Sequence, residues 1–263
     1  MCRQLKFFSF AVVIGLLACG QSHDASQLHI KNGNTFSPSD RLYRQHVTMR
    51  NGDRHCSGTI VAAHWVLTAA HCVDASTAPS AYIMTYEASH VGEDLYTIAE
   101  IRLPPGVVMP SDGSKPRYNG EHIVDVRPMR DLALLRLTSD ILDAPTRTAR
   151  LPDLSDPTLL PNAAVYAVGS GHHDTIMNPD HTLKWVEAHV GSVDYPNEFI
   201  KLTSHQTDMG DSGGGLLTYS SLDNKPVVWG ALSYGSDAWP DDLSAYTWLD
   251  GQHRAWIEQT IVD

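Results

Sequence analysis

Short apolar or alternating runs recur along most of the chain, separated by clusters of Gly, Pro, Asp, Asn and Ser. The runs are CSGTIVAA, HWVLTAA, SAYIMTYEA, LYTIAEIRL, DLALLRL, NAAVYAVGS, LKWVEAHVGSV, EFIKLT, GGLLTYS, PVVWGALSYG and SAYTWLD. They are rich in Val, Ile, Leu, Tyr, Trp and Thr, which suit a pleated, half-buried surface, and the punctuating residues suit turns. No stretch of helical periodicity lies between them, as parallel strands would require. The pattern predicts an all-β barrel or sandwich. Only the end, DGQHRAWIEQTI, has helical spacing, with Trp256, Ile257 and Ile261 on one face. The segment Thr138–Pro161, rich in Pro, Asp and Thr, reads as a linker between two halves.

The N-terminus follows another pattern. Arg3 and Lys6 precede the continuous apolar run FFSFAVVIGLLA, which is short for a membrane span and has the layout of an export signal. It ends in LLACG, similar to a bacterial lipobox, in which the chain is cut before the cysteine and the Cys19 thiol carries diacylglycerol. Ordinary cleavage at the small residues Ala18 and Gly20 is the alternative, and both export the protein. The expected layout is a signal over 1–18, a lipidated tether or prosegment over 19–29, and a domain over 30–263.

Composition narrows the class. A length of 263 residues with 42% hydrophobic and 19% charged content is enough for a packed globular core. The net charge of −11, without a Lys/Arg-rich run, argues against nucleic acid as a partner. Of the four cysteines, Cys2 leaves with the signal and Cys19 is assigned to lipid. Cys56 and Cys72 remain as an even pair in an oxidising compartment.

Three residues carry candidate chemistry. MGDSGGG places Ser212 among glycines; VLTAAHCV places His71 after an apolar run; RDLALLRL opens with Asp131. Singly, each has a bland reading: a flexible turn, a structural histidine, a cap. Jointly they supply what a serine nucleophile needs. Its hydroxyl is protonated at neutral pH and requires a neutral imidazole as base, and the imidazole requires an acceptor behind it. Glycines beside Ser212 let backbone N–H groups approach an oxyanion without a Cβ in the way. The residues alone thus point to an acyl-transfer hydrolase.

The order His, Asp, Ser within LTAAHC, DLALLRL and GDSGGG resembles the trypsin/chymotrypsin family of serine peptidases, from about Ile30 to the C-terminus. That resemblance implies two six-stranded antiparallel β-barrels, over about 30–140 and 141–263, with the active site in the cleft between them and a C-terminal helix. It makes His71 the general base and acid, Asp131 its orienting partner and Ser212 the nucleophile, with Gly210 and Ser212 N–H groups as oxyanion hole. Cys56–Cys72 resembles the disulfide behind the histidine loop. IKNG, beginning at Ile30, is similar to the family's activated N-terminus, whose free amine pairs with the acid before the serine, here Asp211. His29 before that cut departs from the usual Arg or Lys, leaving the activating protease unidentified.

The specificity pocket is less clearly written. Counting back from Ser212, its floor falls on Gln206, a neutral residue that argues against strict Arg/Lys preference. Ser233, Tyr234 and Gly235 match the wall that pairs with the substrate chain, and Ser244 approaches the pocket. Asp208 stands where the family's pocket cysteine is expected; Asp208, Asp237 or Asp241 reaching the pocket would restore a cationic preference. GHHD at 171–174 and EASHVGED at 87–94 read as loops, so no metal and no cofactor is expected. His46, His55, His64 and His181 read as surface or satisfied polar residues, and the late Tyr and Trp as core. The expected partners are a protein or peptide substrate, an activating protease, and a membrane through the lipid on Cys19. A non-catalytic binding protein on the same fold and an esterase with the same triad are the competing readings.

Overall fold

A computed structural model describes residues 33–35, 41–52, 54–85, 94–123, 130–153, 159–171, 183–195, 198–204, 207–236 and 243–262. Its strands run in chain order as follows. The N-terminal half holds β1 (Asn34–Thr35), β2 (His46–Asn51), β3 (Arg54–Ala62), β4 (Trp65–Thr68), β5 (Tyr82–Thr85), β6 (Leu95–Arg102), β7 (Val107–Val108), β8 (Arg117–Tyr118), β9 (Glu121–His122) and β10 (Ala133–Leu137). The C-terminal half holds β11 (Ala164–Gly169), β12 (Lys184–Asp194), β13 (Phe199–Leu202), β14 (Gly215–Tyr219), β15 (Pro226–Ser236) and β16 (Leu243–Trp248). Helical turns α1 (Thr77–Ser80) and α2 (Ala144–Arg147) are short, and α3 (Gly251–Ile261) closes the described chain.

Six strands close the first barrel in the order β10-β4-β3-β2-β5-β6. β12 pairs antiparallel with both β11 and β13, closing a second six-stranded barrel, β12-β11-β14-β15-β16-β13. β1 pairs with Lys184 and Trp185 at the start of β12. The expected fold is therefore the observed one.

Period-two alternation explains why the most apolar strands lack a polar face. On β10, Ala133, Leu135 and Leu137 fill the first barrel, while Leu134, with Leu132 just before the strand, joins a cluster between the barrels. On β4, Val66 points into the barrel and Trp65 and Leu67 into the shared cluster. The second barrel repeats this: Val227, Trp229 and Leu232 of β15 fill its interior, while Val228 and Ala231 face the first barrel. A strand buried on both faces reads as a continuous apolar run. The same strands carry the candidate residues at their ends.

Two segments differ from the sequence expectation. Thr138–Pro161 is no loose linker where it is described. Ala149 N–H donates to Ile60 O of the first barrel at 2.9 Å and Arg150 N–H to Pro226 O of the second at 2.8 Å, so it is stitched to both. β2 was absent from the expected strands because HVTMRN is half polar; its Val47 and Met49 are core, and its Thr48 is buried through hydrogen bonding. α3 forms as expected: Asp250 accepts from Gln252 and His253 N–H as the N-cap, and Ile257 is buried.

Candidate active site

The apolar run of β4 ends at Thr68, and the chain turns through a single 3₁₀ turn, Ala70–Cys72, which presents His71. Two straps fix this turn. A disulfide joins Cys72 to Cys56 of β3. Beside it, Arg54 pairs with the buried Asp74 carboxylate, which also accepts from Ser76 and Thr77. Burial would raise the Asp74 carboxyl, but the Ser76 and Arg54 donors outweigh it and hold it below the ordinary value.

Asp131 immediately precedes β10 and is wholly buried. Its Oδ2 lies 2.8 Å from His71 Nδ1 and accepts from Ser233 Oγ at 2.6 Å; its Oδ1 accepts the His71 backbone N–H at 2.9 Å. Burial pushes this carboxyl upward, but the charge and hydrogen bond of His71, the Ser233 hydroxyl and the His71 N–H together depress it below the ordinary value. It therefore stays ionised. Ser233 comes from β15, at the point where the register with β16 shifts between Leu232 and Tyr234. The irregularity places its hydroxyl against a residue of the other barrel. Nothing in ALSYG distinguishes this serine from any other strand serine, and its bond to Asp131 was not legible in the sequence.

The residue before Asp131 is also held. Arg130 has φ 67° and Glu198 φ 56°, both left-handed and unusual for residues other than glycine. Arg130 Nη2 donates to Gln252 Oε1 of α3 at 3.0 Å, and Arg130 Nε lies 3.8 Å from Glu198 Oε2. Glu198, Asp250 and the buried His253 bring possible ligand atoms within 4.8 Å of one another. Arg130 already supplies positive charge to that group, and His253 Nδ1 lies 2.8 Å from Trp248 O. We read the group as an anchor for α3.

The Ser212 turn is built around two glycines with left-handed backbone, Gly210 (φ 94°) and Gly213 (φ 82°). A Cβ on Gly213 would collide with Thr68 Oγ1 and Ser57 O and lie 2.9 Å from Ala69 N, so the turn abuts the first barrel directly. Ser57 N–H donates to Ser212 O at 2.8 Å, and Gly213 N–H donates to Leu232 O of β15 at 2.8 Å. The Ser212 turn is thus flanked by β3 on one side and β15 on the other. The Cys72 sulfur, bound in the disulfide, lies 3.6 Å from Ser212 O and 4.0 Å from His71 Nε2. His71 Nε2 and the Ser212 carbonyl oxygen therefore both border this sulfur, and no hydrogen bond joins Ser212 Oγ to Nε2. Such bonds often tighten only when substrate is bound. Among the described residues, the Gly210 and Ser212 N–H groups have no acceptor.

Beneath the turn, the buried Asp211 carboxylate accepts from Gly171 N–H at 2.7 Å and Asp208 N–H at 2.9 Å. Next to Gly171, Ser170 Oγ is the hub of a buried polar group. It lies 2.6 Å from Thr48 Oγ1, 3.1 Å from His46 Nε2, and 3.3 Å from both His55 Nε2 and Ser57 Oγ. Ser57 Oγ in turn donates to Gly210 O at 3.0 Å. Of the histidines, His46 is a buried, bonded polar residue, and His64 pairs with Asp140 near the surface. Burial, followed by the charge of His55, pushes the His46 imidazole down to about 3.

A family model described as Trypsin matches residues 30–257. The chain belongs to the trypsin family. That membership identifies a serine peptidase in general, and proteins or peptides as the substrates of the class. The trypsin domain of this chain brings His71, Asp131 and the Ser212 turn together at the junction of its barrels. Ser244 is buried, with its hydroxyl 2.9 Å from Thr207 Oγ1. On β15, pairing with β14 ends at Ala231, whereas pairing with β16 continues through Tyr234 and Gly235 to Ser236. Ile30, Cys19, Gln206, His181, Asp237 and Asp241 lie outside the described residues.

Proposed function

We propose that the protein is a serine endopeptidase in which Ser212 attacks the scissile carbonyl, His71 carries the proton and Asp131 orients His71. The observation that carries this reading is the Asp131 carboxylate: buried, ionised, and bonded by donors from both barrels. With His71 Nδ1–H donated to Oδ2, Nε2 is left as the acceptor for the Ser212 proton. As Ser212 Oγ attacks, its proton passes to Nε2, and the resulting imidazolium faces an Asp131 that does not take the proton itself. The carbonyl oxygen becomes an oxyanion beside the Gly210 and Ser212 N–H groups, each worth about 10²–10³ in rate in sites of this type. Nε2–H then protonates the leaving amine. Water repeats the sequence on the acyl-enzyme and releases Ser212. The edge of β15 beyond Ala231 suits a substrate chain added as a further strand.

The sequence supports the remainder of the proposal. Residues 1–18 direct export, and a lipid on Cys19 tethers the precursor to a membrane. Cleavage before Ile30 then frees an amine to pair with Asp211. That pairing would add a full charge to a buried carboxylate whose described bonds come from backbone N–H groups. The same cut would part the enzyme from its lipid. With Gln206 at the pocket floor, cleavage is not restricted to Arg or Lys.

Labelling by a serine-directed fluorophosphonate, followed by profiling on a peptide library, tests the reading. Wild type labels and cleaves peptides; Ser212→Ala does neither, at unchanged thermal stability. Labelling with ester but no peptide turnover, or peptide turnover surviving in Ser212→Ala, rejects it. N-terminal sequencing of the active form tests the activation step, and a start at Cys19 or Gln21 with full activity rejects that step.

A further inference from the structure

Lys115 lies in the segment between β7 and β8. The small β7–β8–β9 sheet packs Val107 and Tyr118, together with Ile123, against Ala70, the neighbour of His71. Lys115 therefore belongs to a structure docked on the histidine turn. Lys115 is partly buried, and among the described residues it makes no hydrogen bond and no ion pair. The charges acting on it are Arg54, Asp74 and Asp131.

Those four charges are layered. Asp131 and Asp74 are the inner pair, with side chains 0% and 4% exposed, and both are committed: Asp131 to His71 and Ser233, Asp74 to Arg54, Ser76 and Thr77. The outer pair is cationic, with the Arg54 side chain 61% exposed. Asp112, on the same segment as Lys115, is bonded to Ser114 and has Arg117 as its charge neighbour. Arg54 is already paired with Asp74, so Lys115 is the cation on this rim that has no ion-pair partner among the described residues. Burial first, and then Arg54, hold the Lys115 ammonium below its usual range, a cost that an incoming anion would relieve.

The flanks of Ser212 decide which part of a substrate meets this rim. β15 bounds the turn through Gly213 and offers its edge to the acyl half. β3 bounds it through Ser57, and Arg54 lies three residues before Ser57. The leaving amine takes its proton from His71, on the β3 side, so the chain beyond the scissile bond runs past Cys56–Cys72 toward Arg54 and Lys115.

We propose that Arg54 and Lys115 form a subsite for a carboxylate in the leaving-group half of the substrate, so that the enzyme favours peptides acidic just after the scissile bond. This rests on the peptidase reading above. The carboxylate is either an Asp or Glu side chain or the substrate's own C-terminus.

The test uses quenched fluorescent peptides differing only in Ala or Asp at each of the three positions after the scissile bond, each with a free or amidated C-terminus. The Asp/Ala ratio of kcat/KM should be about two- to five-fold in at least one position, the scale of a partly exposed charge pair, and should fall with added salt. It should fall in Lys115→Ala, where Arg54 remains, and fall further, to one or below, in Lys115→Glu. Because each ratio is taken within one preparation, a change in folded fraction cancels. A preference confined to free C-termini assigns the carboxylate to the chain end; one kept in amidated peptides assigns it to the side chain. Ratios equal in wild type and both variants overturn the proposal. A second arm separates this outcome from failure of the peptidase reading. Binding of the same peptides to Ser212→Ala, read by fluorescence anisotropy, needs no turnover and should show the same dependence on Lys115.

Discussion

Ser233→Ala removes one donor from a carboxylate that has three and leaves both His71 bonds in place. A hydrogen bond to a charged group contributes about 1.5–3 kcal/mol, and Asp131 is too buried for water to substitute. At neutral pH the variant should lose about that much stability, or roughly 3–12 °C in Tm for a domain of this size. The loss should depend on pH. The depressed Asp131 carboxyl contributes stability that is fully present above its ordinary value of 3.8 and is lost as pH falls through its lower folded value. Without the Ser233 hydroxyl the ionised form loses a stabilising donor, so the folded carboxyl rises toward its ordinary value. Acid unfolding of the variant should begin at a higher pH. The gap between variant and wild type should then narrow once Asp131 is protonated in both. Turnover should fall only about ten-fold, because His71 still meets Oδ2 and Oδ1. Urea titrations at a series of pH values, with kcat on one peptide, measure all of this. A stability loss that is the same at every pH, or no loss at all, refutes the assignment of Ser233 as a donor to ionised Asp131.

Three further outcomes follow from the geometry. Gly213→Ala must adopt φ near 82° and intrude on Thr68 and Ser57. About 1–2 kcal/mol of backbone strain plus about 1–3 of overpacking should appear in urea denaturation, with activity falling further as Ser212 is displaced. His46 titrates near 6.5 unfolded and about 3 folded, so the unfolded chain alone binds that proton between those values. Stability should decline there by roughly 1.4 kcal/mol per pH unit, and His46→Gln should flatten that slope in acid titrations followed by circular dichroism. Replacing both Cys56 and Cys72 by Ser opens a cross-link of sequence separation 16, costing about 3 kcal/mol in denaturant melts. Activity should suffer beyond the folded fraction because His71 loses its strap.

The pairing of His71 with Asp131 near the Ser212 turn was legible because each sits in a short segment of distinctive residue types: a histidine on a cysteine-strapped turn, an aspartate opening a buried strand, a serine among glycines. The strands were legible for the same reason the barrels pack: β10 and β15 are buried on both faces and read as apolar runs. What stayed hidden depends on meetings across the chain. Ser233 reaches Asp131 over 102 positions, and the Ser170 hub gathers residues from both barrels. Arg130 is held by Gln252 and Glu198, distant residues that carry no local signal. The β7–β9 strands are two residues long, too short to show a period, and β2 offers only Val47 and Met49 as apolar positions, so these strands are recovered only from pairing.

The anchoring of Arg130 by α3 has a consequence for the order in which the molecule comes into being. A chain is made from its N-terminus, and His71 and Asp131 emerge early, with the whole first barrel. Yet the Arg130 guanidinium, just before Asp131, donates to the Gln252 side-chain oxygen, the Asp131 carboxylate accepts from Ser233, and Ile257 completes the shared core between the barrels. A growing chain therefore carries His71 and Asp131 without their full setting until β15 and α3 have been added. A chain cut before α3 should retain the strands of its first barrel and lack the contacts that hold Arg130 at the junction.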